Sequence, residues 1–183
     1  MKNTTLKRII SLTAAAALAV TICSSCGKPG EKNTSQSAAN SLGNQYPEQY
    51  KNYIESFSSE VTPFVENELP KLLNAVGTLN ASNFSEWKTN FEADHEKCEH
   101  WYNEVSSAEM FCPSELTEQH KALVTTVATF YKILDGMNPR IEAADAGDFS
   151  QFTSKSTEYA QAAQISKDMW NRAIDDVNAE LKQ

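Results

Sequence analysis

Length, composition and charge place this chain among small globular proteins and exclude two classes of partner. It has 183 residues and a mass of 20.3 kDa; 40% of the residues are hydrophobic and 22% charged, which suits one compact domain. The formal net charge is −8, so the chain lacks the excess of basic residues that binds a nucleic-acid backbone or an anionic bilayer surface. We therefore expect no nucleic-acid partner.

Residues 1–25 have the pattern of a secretory signal peptide. Lys2, Lys7 and Arg8 supply positive charge, and an unbroken stretch of apolar and small residues follows over positions 9–22. As a helix this stretch would extend roughly 21 Å, which is less than the hydrocarbon core of a bilayer at about 30 Å. We therefore expect residues 1–25 to be removed rather than to span a membrane.

A cysteine preceded by small residues ends this segment, in the order Ser24, Ser25, Cys26, Gly27. At this point the chain resembles a bacterial lipoprotein precursor. The resemblance implies that a signal peptidase cuts before Cys26, that Cys26 carries a diacylglyceryl anchor, and that the mature protein sits on the extracytoplasmic face of the cell membrane. Two acyl chains give stable attachment where one binds only marginally. An ordinary secreted protein, cut nearby and keeping Cys26 as a free thiol, is the alternative.

Residues 26–46 form a polar tether in our interpretation, and residues 47–183 form the folded domain. The tether is rich in Gly, Ser, Asn, Gln and Lys, and Leu42 is its one large aliphatic residue. Such a linker typically spans about 25 Å and at most about 70 Å, enough to hold a domain away from a membrane. Because Lys2, Lys7 and Arg8 leave with the signal peptide, the mature charge becomes 13 minus 24, or −11.

The apolar residues after Pro47 recur at spacings of three and four, which predicts an all-α domain. Helix 1 begins at Pro47, is bent by Pro63 and Pro70, and stops at Gly77. Helix 2 follows the capping box Asn83-Phe84-Ser85-Glu86. Its predicted core face consists of Phe84, Trp87, Phe91, His95, Cys98, Tyr102 and Val105.

Helix 3 begins near Pro113 and Ser114, with a break at Gly136 and Pro139 and a continuation that ends at Gly147. Helix 4 follows a second capping box over 148–151. Four amphipathic helices with short connections predict an up-down-up-down antiparallel four-helix bundle.

Cys98 and Cys112 are two spare cysteines in a chain that we expect to be exported, so we predict a disulfide between them. Closing such a loop contributes about 3 kcal/mol in the chain-entropy account. The bridge needs Cα atoms within about 7 Å, and Cys98 lies well inside helix 2. Two buried free thiols are therefore the alternative.

The polar residues His95, Glu99 and His120 suggest a second class of function, an exported metal-binding or enzymatic bundle. His95 and Glu99 share a helix face, and His120 lies on the core stripe of the next helix. Helix heights oppose a shared site, because they place His95 and His120 at different distances from the connecting loop. Two separate interface histidines are the simpler interpretation, and we expect no metal and no cofactor.

His100 and Trp101 are the candidate surface-recognition residues, because Trp101 falls outside the predicted core stripe. Sequence scanning finds no phosphate loop, nucleophile elbow or other catalytic signature. We therefore expect a membrane-tethered, non-enzymatic interaction domain whose partner is an envelope protein, a wall component or a small ligand. A pocket opened by the break between Gly136 and Pro139 is a further hypothesis.

Overall fold

The chain is described here by a computed structural model over residues 45–182, in which every regular element is helical. The predicted all-α class is thus confirmed. Cys26, the predicted signal peptide and nearly all of the predicted tether lie outside the described residues. None of the helices within 45–182 combines the length and hydropathy of a membrane span.

Seven α-helices make up most of this range, and a π-helical turn and three short 3-10 turns join some of them. The α-helices are α1 (Gln45–Pro63), α2 (Leu69–Ala75), α3 (Phe84–Ser107), α4 (Thr117–Asp135), α5 (Asn138–Asp145), α6 (Ser150–Thr153) and α7 (Ser156–Glu180). The π turn is Phe64–Glu68, and the 3-10 turns are Val76–Thr78, Ala108–Phe111 and Ser114–Leu116.

The first helical segment consists of α1, the π turn and α2. The π turn explains how two apolar series share one side of this segment. The first series has alternating spacings of four and three and consists of Tyr50, Ile54, Phe57, Val61 and Phe64, all buried. The second series has the same alternating spacing and begins at the residue after Phe64. It consists of Val65, Leu69, Leu72, Val76 and Leu79, all buried. A π turn holds one more residue than an α turn, so it absorbs that offset. The Leu69 amide accordingly donates to the Phe64 carbonyl, five residues back.

Helix α3 begins where the sequence predicts, but its cap is different. Asn83 is the N-cap residue and makes no capping hydrogen bond. Its Oδ1 instead accepts from the Asn80 amide at 2.8 Å, and its Nδ2 donates to the Thr78 carbonyl at 3.0 Å. These bonds order the turn before α3, so Asn83 fixes the loop rather than the first helical amides.

The predicted break at Gly136 and Pro139 and the predicted helix end at Gly147 are both confirmed. Gly136 and Met137 separate α4 from α5, and Pro139 lies in the first turn of α5, where it displaces no helical hydrogen bond. Gly147 has φ +90, which is accessible to glycine and strained for other residues. The Gly147 amide donates to Ala144 and the Asp148 amide to Ala143, both at 2.9 Å, so a Schellman motif closes α5.

Predicted helix 4 is two helices, because α6 ends at Thr153 and α7 begins at Ser156. Between them the Ser154 hydroxyl donates to the Gln151 carbonyl at 3.2 Å, and the Ser156 hydroxyl donates to the Thr153 carbonyl at 3.0 Å. Hydroxyls that bond backbone carbonyls compete with the helical ladder, which accounts for an interruption in this serine-rich stretch.

The long helices surround one hydrophobic core. Helix α3 packs against α4, α4 against α7, α7 against α2 and the π turn, and α2 against α3. Aromatic rings bridge these layers: Trp170 lies 6.1 Å from Phe57 and 6.3 Å from Phe130 between ring centroids. The Trp170 indole donates to the Thr62 hydroxyl at 3.0 Å, so its polar group is satisfied inside the core.

Candidate binding groove

A half-open groove of about 410 Å³ lies between α2 and α3, next to the π turn. Its apolar part consists of Leu72 and Ala75 of α2, Leu79 after the 3-10 turn, and Trp87 and Ala93 of α3. Its polar part consists of Glu68, Lys71, Asn83, Glu86, Asn90, Asp94 and Lys97. A concave, partly apolar surface with a few polar groups is the usual form of a small-ligand site.

Trp87 fixes the groove's apolar wall. Its indole Nε1 donates to the Leu72 carbonyl across the groove at 3.0 Å, which ties α3 to α2. Its ring stacks between Phe84 and Phe91 at centroid distances of 6.1 and 5.4 Å. Because both the polar and the apolar part of Trp87 are held, this wall is rigid.

Asp94 is a carboxylate at a core position of α3. The buried residues of α3 alternate at spacings of three and four, and consist of Phe84, Trp87, Phe91, Asp94, Cys98, Trp101 and Val105. Asp94 is the one charged residue in this series and is 7% exposed. Burying a carboxylate is unfavourable unless a partner compensates it, so this position is costly for the fold.

Lys97 is the partner of Asp94 and also of Glu68. Its Nζ lies 3.1 Å from Asp94 Oδ1 and 2.7 Å from Glu68 Oε2, so one ammonium joins α3 to the end of the π turn. The same Nζ lies 5.9 Å from the centroid of the Phe64 ring. The Lys97 side chain is 44% exposed, so solvent reaches this ion-pair cluster from the groove.

Burial raises the pKa of Asp94, against the opposing effect of Lys97, while Glu68 raises it further. The hydrogen bond to Glu68 raises the pKa of Lys97, with Asp94 acting in the same direction. The groove therefore holds a carboxylate that is poorly solvated and depends on one ammonium for its charge balance.

A second polar cluster lies where α1 meets α4. The Tyr50 hydroxyl and His120 Nδ1 form a hydrogen bond of 2.9 Å, and both residues are buried. Burial lowers the pKa of His120, while Glu109 and the Val105 carbonyl oppose that effect. Neutral His120 fits this arrangement, in which its hydrogen bond with Tyr50 joins α1 to α4.

The proposed metal residues are not brought together. His95 lies against α4, with its ring 5.1 Å from Tyr131 and its Nε2 3.7 Å from Asp135 Oδ1. His120 instead contacts Tyr50, and Glu99 is exposed. Within residues 45–182, no three His, Cys, Asp or Glu side chains are grouped so as to hold a metal ion.

The expectation that Trp101 is a surface residue is wrong. Trp101 is 3% exposed, its ring packs edge-on against Phe64 at 5.0 Å, and its indole donates to Glu60 Oε1 at 2.8 Å. The sequence stripe placed His95 and Tyr102 in the core, whereas the helix buries Asp94 and Trp101, each one residue earlier. His100 is exposed and lies 3.6 Å from Glu104.

The predicted disulfide is not formed in the structure, which has Cys98 and Cys112 as free thiols. Cys98 lies nine residues before the end of α3 at Ser107, which places it about 14 Å from that end. Cys112 follows the next 3-10 turn, and its thiol donates to the Pro113 carbonyl at 3.4 Å. The helix rise thus separates the two sulfurs along α3.

The break at Gly136 is filled rather than open. Met137 is fully buried there, and Arg140 Nη1 donates to the Gly136 carbonyl at 2.8 Å. The Arg140 guanidinium also lies 5.8 Å from the centroid of the Tyr159 ring. These contacts close the place where the sequence suggested a pocket.

No family model, curated protein or solved structure matches this chain. The groove between α2 and α3 is therefore assigned from its own geometry. Sequence reasoning missed it, although the regular spacing from Phe91 through Asp94 to Cys98 marks Asp94 as a core position. A carboxylate at such a position is the signal that could have found it.

Proposed function

We propose that this protein is a lipid-anchored lipoprotein of the bacterial envelope, whose helical domain binds a ligand without catalysing a reaction. The groove between α2 and α3 is the observation that carries the binding role, because it combines a rigid apolar wall with a buried carboxylate. Cys26, after its signal-peptide pattern, carries the anchoring role. The domain is then on the extracytoplasmic face, and its partner is a small ligand or another envelope component.

The finer architecture within this proposal is an up-down-up-down antiparallel bundle. The first helical segment, α3, α4 and α7 are its four rods, and the cyclic order of their contacts supports it. In this arrangement the groove lies on the side of the bundle between the first and second rods. The tether lets this side turn toward a ligand without releasing the protein.

Membrane fractionation of cells that express the full chain tests the anchor. We expect the wild type and a Cys23→Ser variant in the membrane fraction, with the mass of a lipid on the mature chain. We expect a Cys26→Ser variant to carry no lipid mass and to be released once its leader has been removed, because it lacks the thiol that receives the diacylglyceryl group. A processed Cys26→Ser chain that stays with the membrane would contradict the lipid anchor.

A further inference from the structure

The ion-pair cluster in the groove indicates what kind of ligand the groove takes, if the proposed binding role holds. Its centre is a single ammonium, Lys97 Nζ, held between Asp94 and Glu68. We propose that the groove binds a small organic cation with an apolar body. The ligand's ammonium takes the place of Lys97 against Asp94 and Glu68, and its apolar body lies on Leu72, Leu79 and Trp87.

Asp94 is the first reason for this assignment. At the other core positions of α3 the structure buries an aromatic, aliphatic or thiol side chain, so an apolar residue at this point would fit the fold. Replacing a buried ion pair by apolar groups of similar volume is often neutral or stabilising. The carboxylate is therefore better explained by recognition of a cation than by stability of the helix packing.

Lys97 is the second reason, because it shows that the site accommodates an ammonium. Two carboxylate oxygens, Asp94 Oδ1 and Glu68 Oε2, lie within 3.1 Å of its Nζ. Lys97 comes from the exposed flank of α3 on a flexible stem, so it can turn into solvent when another cation arrives.

The groove's charge is the third reason. Its carboxylates are Glu68, Glu86 and Asp94, against the ammonium groups of Lys71 and Lys97. When Lys97 moves out to solvent, the carboxylates outnumber the remaining ammonium, and an anionic ligand would meet repulsion. The acidic character of the whole chain acts in the same direction.

The groove's shape sets the length of the ligand. Asp94 lies seven residues after Trp87 on α3, a rise of about 10 Å, and both line the groove. A ligand with its ammonium at Asp94 therefore needs an apolar body that reaches the wall formed by Trp87 and Leu72. An arylalkyl or alkyl amine of this length has both parts.

Three compounds of matched size test the charge preference: 4-phenylbutylamine, 4-phenylbutanol and 4-phenylbutyrate. The protein is the full chain with Cys26→Ser, used without detergent, and binding is followed by calorimetry and by the NMR signal of the Trp87 indole N–H. A Trp87→Phe variant assigns that signal. We expect 4-phenylbutylamine to bind and to shift the Trp87 indole N–H signal. The alcohol should bind about tenfold more weakly, because it loses a charged hydrogen bond. The acid should bind more weakly still.

Variants of the two central residues test the position of the cation. Asp94→Asn keeps the side-chain shape and should weaken amine binding about tenfold while leaving the alcohol unchanged. Lys97→Gln removes the competing ammonium and should strengthen amine binding severalfold. Lys88→Gln is the matched control on the same helix, because Lys88 pairs with Asp145 away from the groove and should change nothing.

The results separate this inference from the proposed function. Equal binding of amine and alcohol, stronger binding of the acid, or no binding of any compound would overturn the cation assignment. Weaker amine binding in Lys97→Gln would do the same, and it does not depend on how well Asp94→Asn folds. None of these results changes the anchoring test on Cys26.

Discussion

Cys98 and Cys112 lie in surroundings that give their thiols different reactivity. Cys98 is fully buried, and burial raises its pKa, with Asp94 acting in the same direction. Cys112 is half-buried, and burial raises its pKa while the Tyr50 hydroxyl lowers it. Since a thiolate is the reactive species, neither cysteine is activated, and access decides which one reacts first.

Thiol labelling of the full chain with Cys23→Ser and Cys26→Ser should show this order. In the native state we expect only the thiol of Cys112 to react, and to react slowly, because Cys98 is shielded. This reaction should be absent in the Cys112→Ser variant. In denaturant without reductant, two thiols should react. Two unreactive cysteines in denaturant would instead establish the disulfide that the sequence suggested.

His120 gives the domain a pH-dependent stability. Because burial lowers its pKa in the folded state, the unfolded chain takes up a proton at higher pH than the folded chain does. The contribution of His120 to the free energy of unfolding is therefore complete above the ordinary histidine pKa of about 6.5 and is lost as pH falls below it.

Urea unfolding at pH 7.5 and pH 5.5 measures this contribution. We expect the wild type to lose more stability between the two pH values than His120→Gln does. His100→Gln is the control for replacing an exposed histidine, since the His100 side chain is 71% exposed. If His120→Gln lost as much free energy of unfolding between the two pH values as the wild type does, another group would be the cause of the change.

At the scale of elements, the π turn keeps two apolar series on one side of the first helical segment. Asn67 lies in this turn, is exposed, and donates from Nδ2 to the Pro63 carbonyl at 3.2 Å. Removing one residue here makes the spacings of three and four continuous from Val61 to Leu79 in a plain α-helix. Adding one residue instead turns the second series by about 100° away from the core.

Deletion of Asn67 should therefore be tolerated better than insertion of an alanine after it. We expect the deletion to cost up to about 3 kcal/mol, because Pro70 then lies inside a regular helix. We expect the insertion to abolish cooperative unfolding, since it exposes several side chains that each contribute about 1.5–3 kcal/mol. Urea unfolding followed by circular dichroism measures both. Equal losses would mean that the π turn has no role in register.

At the scale of the whole molecule, the sequence predicts a removable leader, a polar tether and an acidic helical domain. The spacing of apolar residues predicted the all-α class, and Gly136, Pro139 and Gly147 predicted real helix boundaries. These features are local, because backbone sterics and missing amide donors act within one helical turn. The anchor at Cys26 and the ligand remain proposals.

The candidate site depended on facts that lie beyond one helix. The sequence favoured His95 and Tyr102 as core residues because they continue the spacing of three and four from Phe91 through Cys98 to Val105. The structure buries Trp101 because its ring packs on Phe64 and its indole N–H donates to Glu60. It buries Asp94 because the carboxylate pairs with Lys97. Phe64 and Glu60 are distant from Trp101 in sequence, so the face of α3 that lies inside depends on contacts outside this helix.

The sequence by itself determined that the domain is helical and that helices end near Gly136 and at Gly147, since periodicity, proline and glycine act through nearby backbone. Only the tertiary structure decided that Trp101 is buried, that Cys98 and Cys112 stay apart, and that α2 and α3 leave a groove around Asp94. The physical reason is that burial, ion pairing and cavity shape depend on which helices meet and at which height, which no single helix contains.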